Sequence, residues 1–251
     1  MTLLKKPIAT KALLWLALMC LGAHAWAGQV AGTVMQLSGP LMAKKADGKV
    51  KILAVKSEVE QGDTLLTEKE TYALIKLIDN SEITLKPNTS FVIEQFSYAA
   101  EQPDDDHAIF SLLKGGLRSV TGLLGKRNKE RFEMKTPAAT IGIRGTTFVA
   151  NYVAPSVPPL TSAPPSAGQG LAPGLYVHVI DGLIQVSNPA GAQSFAPGQF
   201  GFTPNFRQPP VLLPVNPGMP FTLPPAFVAT SSGASDAAGP GTPATIDCVV
   251  R

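Results

Sequence analysis

Few residues of this 251-residue chain are equipped for chemistry. Asp104-Asp105-Asp106-His107 sets three carboxylates beside an imidazole, ligand types that can hold a cation. The run lacks the alternating acids and the loop glycine of a calcium-binding loop, so it reads as a solvated acidic loop. Nucleophilic catalysis needs a hydroxyl or thiol within hydrogen-bond reach of a base. Beyond the first 27 residues the only histidines are His107, in that loop, and His178, in a strand-like stretch. The patterns Gly-x-Ser-x-Gly and His-Glu-x-x-His are missing, as are paired cysteines, and no two carboxylates stand out as a hydrolytic pair. The sequence therefore points away from an enzyme, from a metal site and from any cofactor.

Two charged features remain. Lys126, Arg127, Lys129 and Arg131 form a basic cluster close in sequence to the acidic loop. They either pair with it or stay solvated; the sharper reading makes them a docking patch for an acidic partner. Arg144 lies within the run from Thr136 to Phe148, whose β-branched and aromatic residues otherwise suit a strand. Pro137 belongs at a strand start, an edge or a bulge. Gly142 and Gly145 mark a bend or a close approach of backbone. Thr136, Pro137, Gly142, Ile143, Arg144, Gly145 and Thr146 thus read as a structural corner. The flanking glycines suggest crowding, so Arg144 is expected to cap carbonyls or to pair with a carboxylate inside it, the alternative being that it presents to a partner's acidic group. On that expectation Arg144→Ala lowers the thermal midpoint.

The surrounding elements are short and β-prone. Val30 to Leu37 ends at Ser38-Gly39-Pro40, and Asp47-Gly48 is a hairpin signal between two strand candidates. Tyr72 to Ile78 is apolar at nearly every position, as in a strand covered on both faces. Asp79-Asn80-Ser81 turns, with Asn80 suited to the left-handed region. Strands recur at the spacing of an all-β sandwich, barrel or solenoid. A loose echo between residues 30–63 and 177–199 suggests stacked β units. Residues 154–173 read as a Pro-rich insertion, Asp181-Gly182 as the turn of a closing hairpin over 175–198, and 203–251 as a low-complexity tail rich in Pro, Ala, Gly and Ser.

Residues 1–27 read as a cleaved secretory signal peptide: Lys5, Lys6 and Lys11, an apolar stretch from Ala12 to Gly22, then Ala25-Trp26-Ala27. The bulky Leu18 and Met19 before Cys20 argue against a lipid anchor. Loss of the leader removes three of the 21 basic residues and none of the 18 acidic ones, so the remainder is balanced and nucleic acid is not an expected partner. Cys248 is then the one thiol left, which excludes an internal disulfide.

The stretches Gln61 to Thr67, Ala73 to Leu77, Asp79-Asn80-Ser81, Ile83-Thr84-Leu85 and Pro87-Asn88-Thr89 resemble the opening half of the FecR domain. Phe110 to Gly116, Leu117 to Gly122 and Thr136 to Phe148, with its Gly-Ile-Arg-Gly-Thr core, resemble the second half. The resemblance covers about residues 58–150, within a β domain read as 28–202. Asn80 stands where the family usually has glycine. The resemblance implies an exported, solenoid-like or sandwich β domain of the bacterial envelope. The family's named member senses an occupied outer-membrane transporter and signals to a cytoplasmic sigma factor. With no anti-sigma segment read ahead of the apolar run, direct sigma-factor regulation is not expected. The expected role is a periplasmic or secreted binding or signalling module. Its partner would be an envelope protein, either a membrane sensor or an outer-membrane transporter. Recognition of cell-wall or surface glycan is the alternative, although no tryptophan lies outside the leader.

Overall fold

The longest strand, His107–Val120, belongs to two sheets, and the rest of the chain is laid down on either side of it. The computed structural model describes residues 28–101, 103–155 and 171–219, with 221 and 227. The leader, most of the Pro-rich insertion and Cys248 lie outside the described residues. In chain order the strands are β1 (Val30–Leu37), β2 (Leu41–Lys44), β3 (Val50–Leu53), β4 (Glu58–Glu60), β5 (Thr64–Thr67), β6 (Ala73–Leu77), β7 (Glu82–Leu85), β8 (Ser90–Ser97) and β9 (His107–Val120). They continue as β10 (Phe132–Lys135), β11 (Thr140–Ile143), β12 (Thr147–Val153), β13 (Gly174–Asp181), β14 (Ile184–Asn188), β15 (Gly191–Phe195), β16 (Phe200–Thr203) and β17 (Val211–Leu213). One short helix, α1 (Leu123–Arg127), follows β9.

One sheet runs β4-β1-β6-β7-β9-β12-β13-β16-β17. The other runs β3-β2-β5-β8-β9-β10-β11-β14-β15. Residues 107–114 of β9 pair within the second sheet and residues 115–120 within the first. Among the described residues only β9 and β10 pair in parallel, and the mixed network stays open and does not close into a barrel. Both sheets grow in the same direction along the chain, hairpin after hairpin, so the fold is a two-sheet sandwich built in a solenoid-like progression. This is the all-β class expected from the strand spacing.

Alternation explains the core. Strands such as β5 and β6 bury every second residue, and the buried positions of both sheets merge into one apolar cluster that includes Phe91, Phe110, Ile141 and Phe148. Phe110 stacks on Phe91 at 5.4 Å and meets Phe96 and Phe132. β6 differs from its expected double coverage: Leu74 and Lys76 stay half-buried on the outer face and Ile78 is exposed. The predicted turns are present, with Asn80 at φ 63° and Gly48 at φ 84°. Residues 211–213, inside the stretch read as tail, instead form β17, because β16 offers them a free edge.

The Asp79 turn grips α1. Its buried carboxylate accepts the Ser81 N–H at 2.9 Å, the Ser81 hydroxyl at 2.7 Å and the Leu124 N–H at 3.2 Å. The Asp79 carbonyl accepts the Leu123 N–H at 2.8 Å. A β-turn thereby satisfies donors at a helix start that otherwise lack partners.

Candidate partner-binding groove

The Gly-Ile-Arg-Gly-Thr run is the corner between β11 and β12. Ile141 and Ile143 fill the core, and the chain then reverses through Gly145 at φ +63°. Two threonines stitch the corner to its neighbours. Thr146 donates its hydroxyl to the Leu183 carbonyl at 2.7 Å, and the Arg144 N–H bonds the same carbonyl at 2.9 Å. Thr121, just past β9, donates to the Thr146 carbonyl at 2.7 Å and accepts the Thr146 N–H at 3.0 Å. The Asp181-Gly182 turn lies directly against this corner: a Cβ on Gly182 would stand 2.4 Å from the Gly145 carbonyl oxygen. Upstream, Thr136 closes the β10–β11 hairpin by donating to the Ala139 carbonyl and accepting the Ala138 and Ala139 N–H groups, with Pro137 exposed in the turn.

The Arg144 side chain departs from expectation. It is exposed and makes no hydrogen bond or ion pair with any described residue. The inference from crowded glycines fails on geometry. A Cβ on Gly145 would meet nothing within 4 Å, so that glycine serves its positive φ; one on Gly142 would meet only the Gln185 carbonyl oxygen, at 3.9 Å. The corner is held by backbone and threonine hydroxyls, and no described residue engages the guanidinium. Arg144→Ala is accordingly expected to leave stability within about 0.5 kcal/mol of wild type in thermal or denaturant unfolding, the range of ordinary surface changes.

Beside Arg144 the outer face of the second sheet forms a groove of about 830 Å³. Its floor is Glu133 of β10, Thr140 and Gly142 of β11, Gln185 and Ser187 of β14, and Ser194 of β15. Strand register brings these together: Gly142 lies opposite Gln185, which lies opposite Ser194. Small side chains and the missing Cβ keep the floor low. Lys129 and Glu130, from the turn before β10, line the groove along with Arg144.

The basic cluster divides. Arg127 is committed to Asp106, with Nε at 2.6 Å from Oδ2 and Nη2 at 2.8 Å from Oδ1. It also donates to the Ala99 and Ala100 carbonyls and lies over the Tyr98 ring. Arg127 therefore leaves the proposed docking patch, since its charge balances a fully buried carboxylate. Lys126, Lys129 and Arg131 are exposed, and of these only Lys129 lines the groove. The acidic loop is thus partly structural: Asp106 anchors it, while the His107 ring bonds the Asp105 carbonyl. Among the described residues no three His, Cys, Asp or Glu side chains are grouped to hold a metal ion. His178 stacks on Phe200 at 4.2 Å, and burial lowers its pKa.

Asp106 gives the fold a pH dependence. Burial alone would raise its pKa, but the hydrogen bonds from Arg127 and the Ala99 N–H outweigh this and hold it below 3.8. A carboxyl with a depressed folded pKa contributes stability in full above its unfolded value and loses it as pH falls through the folded one. The urea midpoint should fall as the pH is lowered from about 5 to about 3. Asp106→Asn should flatten that slope. Glu94, held low by Lys135 and Ser111, supplies part of the remainder.

Fold and site together define an all-β domain with a polar groove beside the β11–β12 corner. Residues 63–157 match the FecR protein family, and the chain carries a FecR-like domain. The chain matches none of the curated proteins. Among solved structures it resembles two of a "putative anti-sigma factor" from Parabacteroides distasonis ATCC 8503, at 12% and 13% identity and TM-score 0.42, covering 60% of this chain and 58% of that one. It also resembles a cell surface anchoring domain at 19% identity and TM-score 0.25, over 25% of this chain and 83% of that one.

The two anti-sigma neighbours overturn the expectation that sigma-factor control lies outside this chain's role. That expectation rested on which segments precede the apolar run, and the β domain itself carries no information about them. The expected function, with its glycan alternative, gives way to a reading in which sigma-factor control is open.

Proposed function

We propose that this protein is a FecR-type regulatory domain that binds a membrane-associated sensor or regulator, in a signalling route that ends in control of a sigma factor. The observation that carries the reading is the Arg144 guanidinium at the edge of the groove, unpaired among the described residues, on a corner inside the family-matching segment. A planar guanidinium with free donors suits a partner's carboxylate, and a rigid corner spares the entropy of ordering it on binding. Lys129 adds a second cation at the same groove. The leader-like residues 1–27, cleaved after Ala27, would deliver the domain across the inner membrane, and the partner would be a membrane sensor or an outer-membrane transporter.

The test is affinity capture from detergent-solubilised envelopes, paired with a transcriptional readout of the sigma factor concerned. Wild-type protein should retain a membrane sensor or regulator, and Arg144→Glu with Lys129→Glu should reduce that retention at least about tenfold, as loss of a charge-assisted pair implies. The charge-reversed protein should also change sigma-dependent transcription. Equal retention by both proteins would reject the groove as the binding surface.

A further inference from the structure

Charge is out of balance beside the start of β1. Glu60, at the end of β4, and Asp63, in the turn that follows, share one cation: Lys45 Nζ lies 3.1 Å from Glu60 Oε2 and 3.0 Å from Asp63 Oδ2. Asp63 is 1% exposed, and its Oδ2 also accepts the Glu60 N–H at 2.9 Å. Its Oδ1 is buried and has no hydrogen-bond partner among the described residues. Burial would lower the Lys45 pKa, yet the hydrogen bonds to Asp63 and Glu60 raise it, as an excess of negative charge requires. Two carboxylates thus face one ammonium at a partly buried site, where incomplete pairing is costly.

The described chain begins at the same place. β1 and β4 pair with Val30 opposite Glu60, and the Gln61 N–H bonds the Gln29 carbonyl at 2.8 Å. The chain entering β1 therefore passes alongside Glu60. At Gly28 the approach is so close that a Cβ would stand 2.5 Å from Glu60 Oε2 and 3.2 Å from the Glu60 Cβ. The Gly28 nitrogen is bonded to the same Cα, at about 1.46 Å, and is a neighbour of that carboxylate. Within a longer chain this nitrogen is a neutral amide. Hydrolysis of the Ala27–Gly28 bond by a leader peptidase consumes one water, leaves a carboxylate on Ala27 of the departing leader and leaves an ammonium on Gly28.

Resting on the reading of residues 1–27 as a leader cleaved after Ala27, we propose that the new Gly28 ammonium pairs with Glu60 and completes the cluster. Two carboxylates then face two ammoniums, Lys45 and Gly28. The cut that releases the domain also ties the first strand to β4, so the processed chain is more stable than its precursor. The absence of a side chain at residue 28 is what lets the Glu60 carboxylate approach. This pairing is independent of the groove and of its partner.

The test expresses the full chain and purifies the processed protein from the envelope. Intact mass reads the first residue, and the Gly28 Cα resonance in glycine-labelled protein follows the titration of the amine. A free α-amino group titrates at about 7.7–8.0. In the processed wild type the midpoint should lie at least about one pH unit higher, and Glu60→Gln should abolish most of that shift. A group whose folded pKa is raised stabilises in full below its unfolded value, and that stability is lost as pH rises through the folded one. The urea midpoint of the wild type should therefore fall from about pH 8 to about pH 9.5, and Glu60→Gln should flatten the fall. Lys45, held above 10.5, does not titrate in that window. An ordinary midpoint for the Gly28 amine, or a raised one that survives in Glu60→Gln, would overturn the pairing and leave the cleavage reading intact. A processed mass that begins at another residue would overturn both.

Discussion

Asp79→Ala should cost about 3 kcal/mol or more of folding stability, read as a lowered urea midpoint. The carboxylate is buried and accepts three hydrogen bonds, from the Ser81 N–H and hydroxyl and from the Leu124 N–H. Hydrogen bonds to a charged group contribute about 1.5–3 kcal/mol each, and stranding buried donors adds their desolvation cost. The three do not add independently because they share one acceptor group. Burial leaves no space for water to substitute freely: the Gly122 backbone is so close that a Cβ there would stand 2.4 Å from the Asp79 carbonyl oxygen. The consequence reaches the groove. Asp79 fixes the start of α1, and α1 leads to Arg127 and then to Lys129 at the groove. Asp79→Asn keeps the size and one acceptor oxygen, so it should lose less. A loss below about 1 kcal/mol for the alanine variant, the worth of one ordinary hydrogen bond, would contradict this account of the turn.

Gly182→Ala is the second large effect, and its cause is steric. The residue sits at φ +80°, which costs an alanine about 1–2 kcal/mol. Its new methyl would also lie 2.4 Å from the Gly145 carbonyl oxygen and 2.9 Å from the Thr146 Cα. Both are backbone atoms, so relief requires the corner to move and the Leu183 carbonyl to part from Thr146 and Arg144. A total of about 3 kcal/mol or more is expected, the conformational cost plus strain held in the turn. Gly198 is the matched control, with the same φ of +80° and nothing within 4 Å of a Cβ. Gly198→Ala should show only the conformational part. Equal losses at the two positions, compared by denaturant unfolding, would show that the Gly182–Gly145 contact is not what the corner requires.

The periodic parts of the fold were legible in the residues. Asp47-Gly48, Asn80 and Asp181-Gly182 announce their turns because each turn demands an unusual backbone conformation that few residues accept. The all-β class followed from strands separated by such turns. What a single sequence does not carry is register. The groove exists because Gly142, Gln185 and Ser194 fall side by side on three strands, two of them more than 40 residues from the first. None of those residues is unusual alone. The threonine pair at positions 121 and 146 was hidden for the same reason. Nor does the run around Gly115-Gly116 show that β9 is one strand that changes sheets there. β17 lies between prolines and has three residues, so its pairing depends wholly on the edge that β16 offers. At Arg144 the expectation fails because a glycine in the sequence does not distinguish crowding from a positive φ. Gly145 serves its positive φ with nothing within 4 Å of a Cβ, and a Cβ on Gly142 would make only an ordinary contact with the Gln185 carbonyl oxygen.

The central claim is that the groove beside Arg144, and not another face of the sandwich, meets a membrane-associated partner. Site-specific photocross-linking in intact cells tests it most directly, with the photoreactive residue placed at Gln185 on the groove floor or at Ile180, exposed on the other sheet. The account predicts an adduct with a membrane sensor or regulator from Gln185, weakened by Arg144→Glu, and none from Ile180. An adduct from Ile180 alone, or one from Gln185 that is indifferent to Arg144, would contradict it.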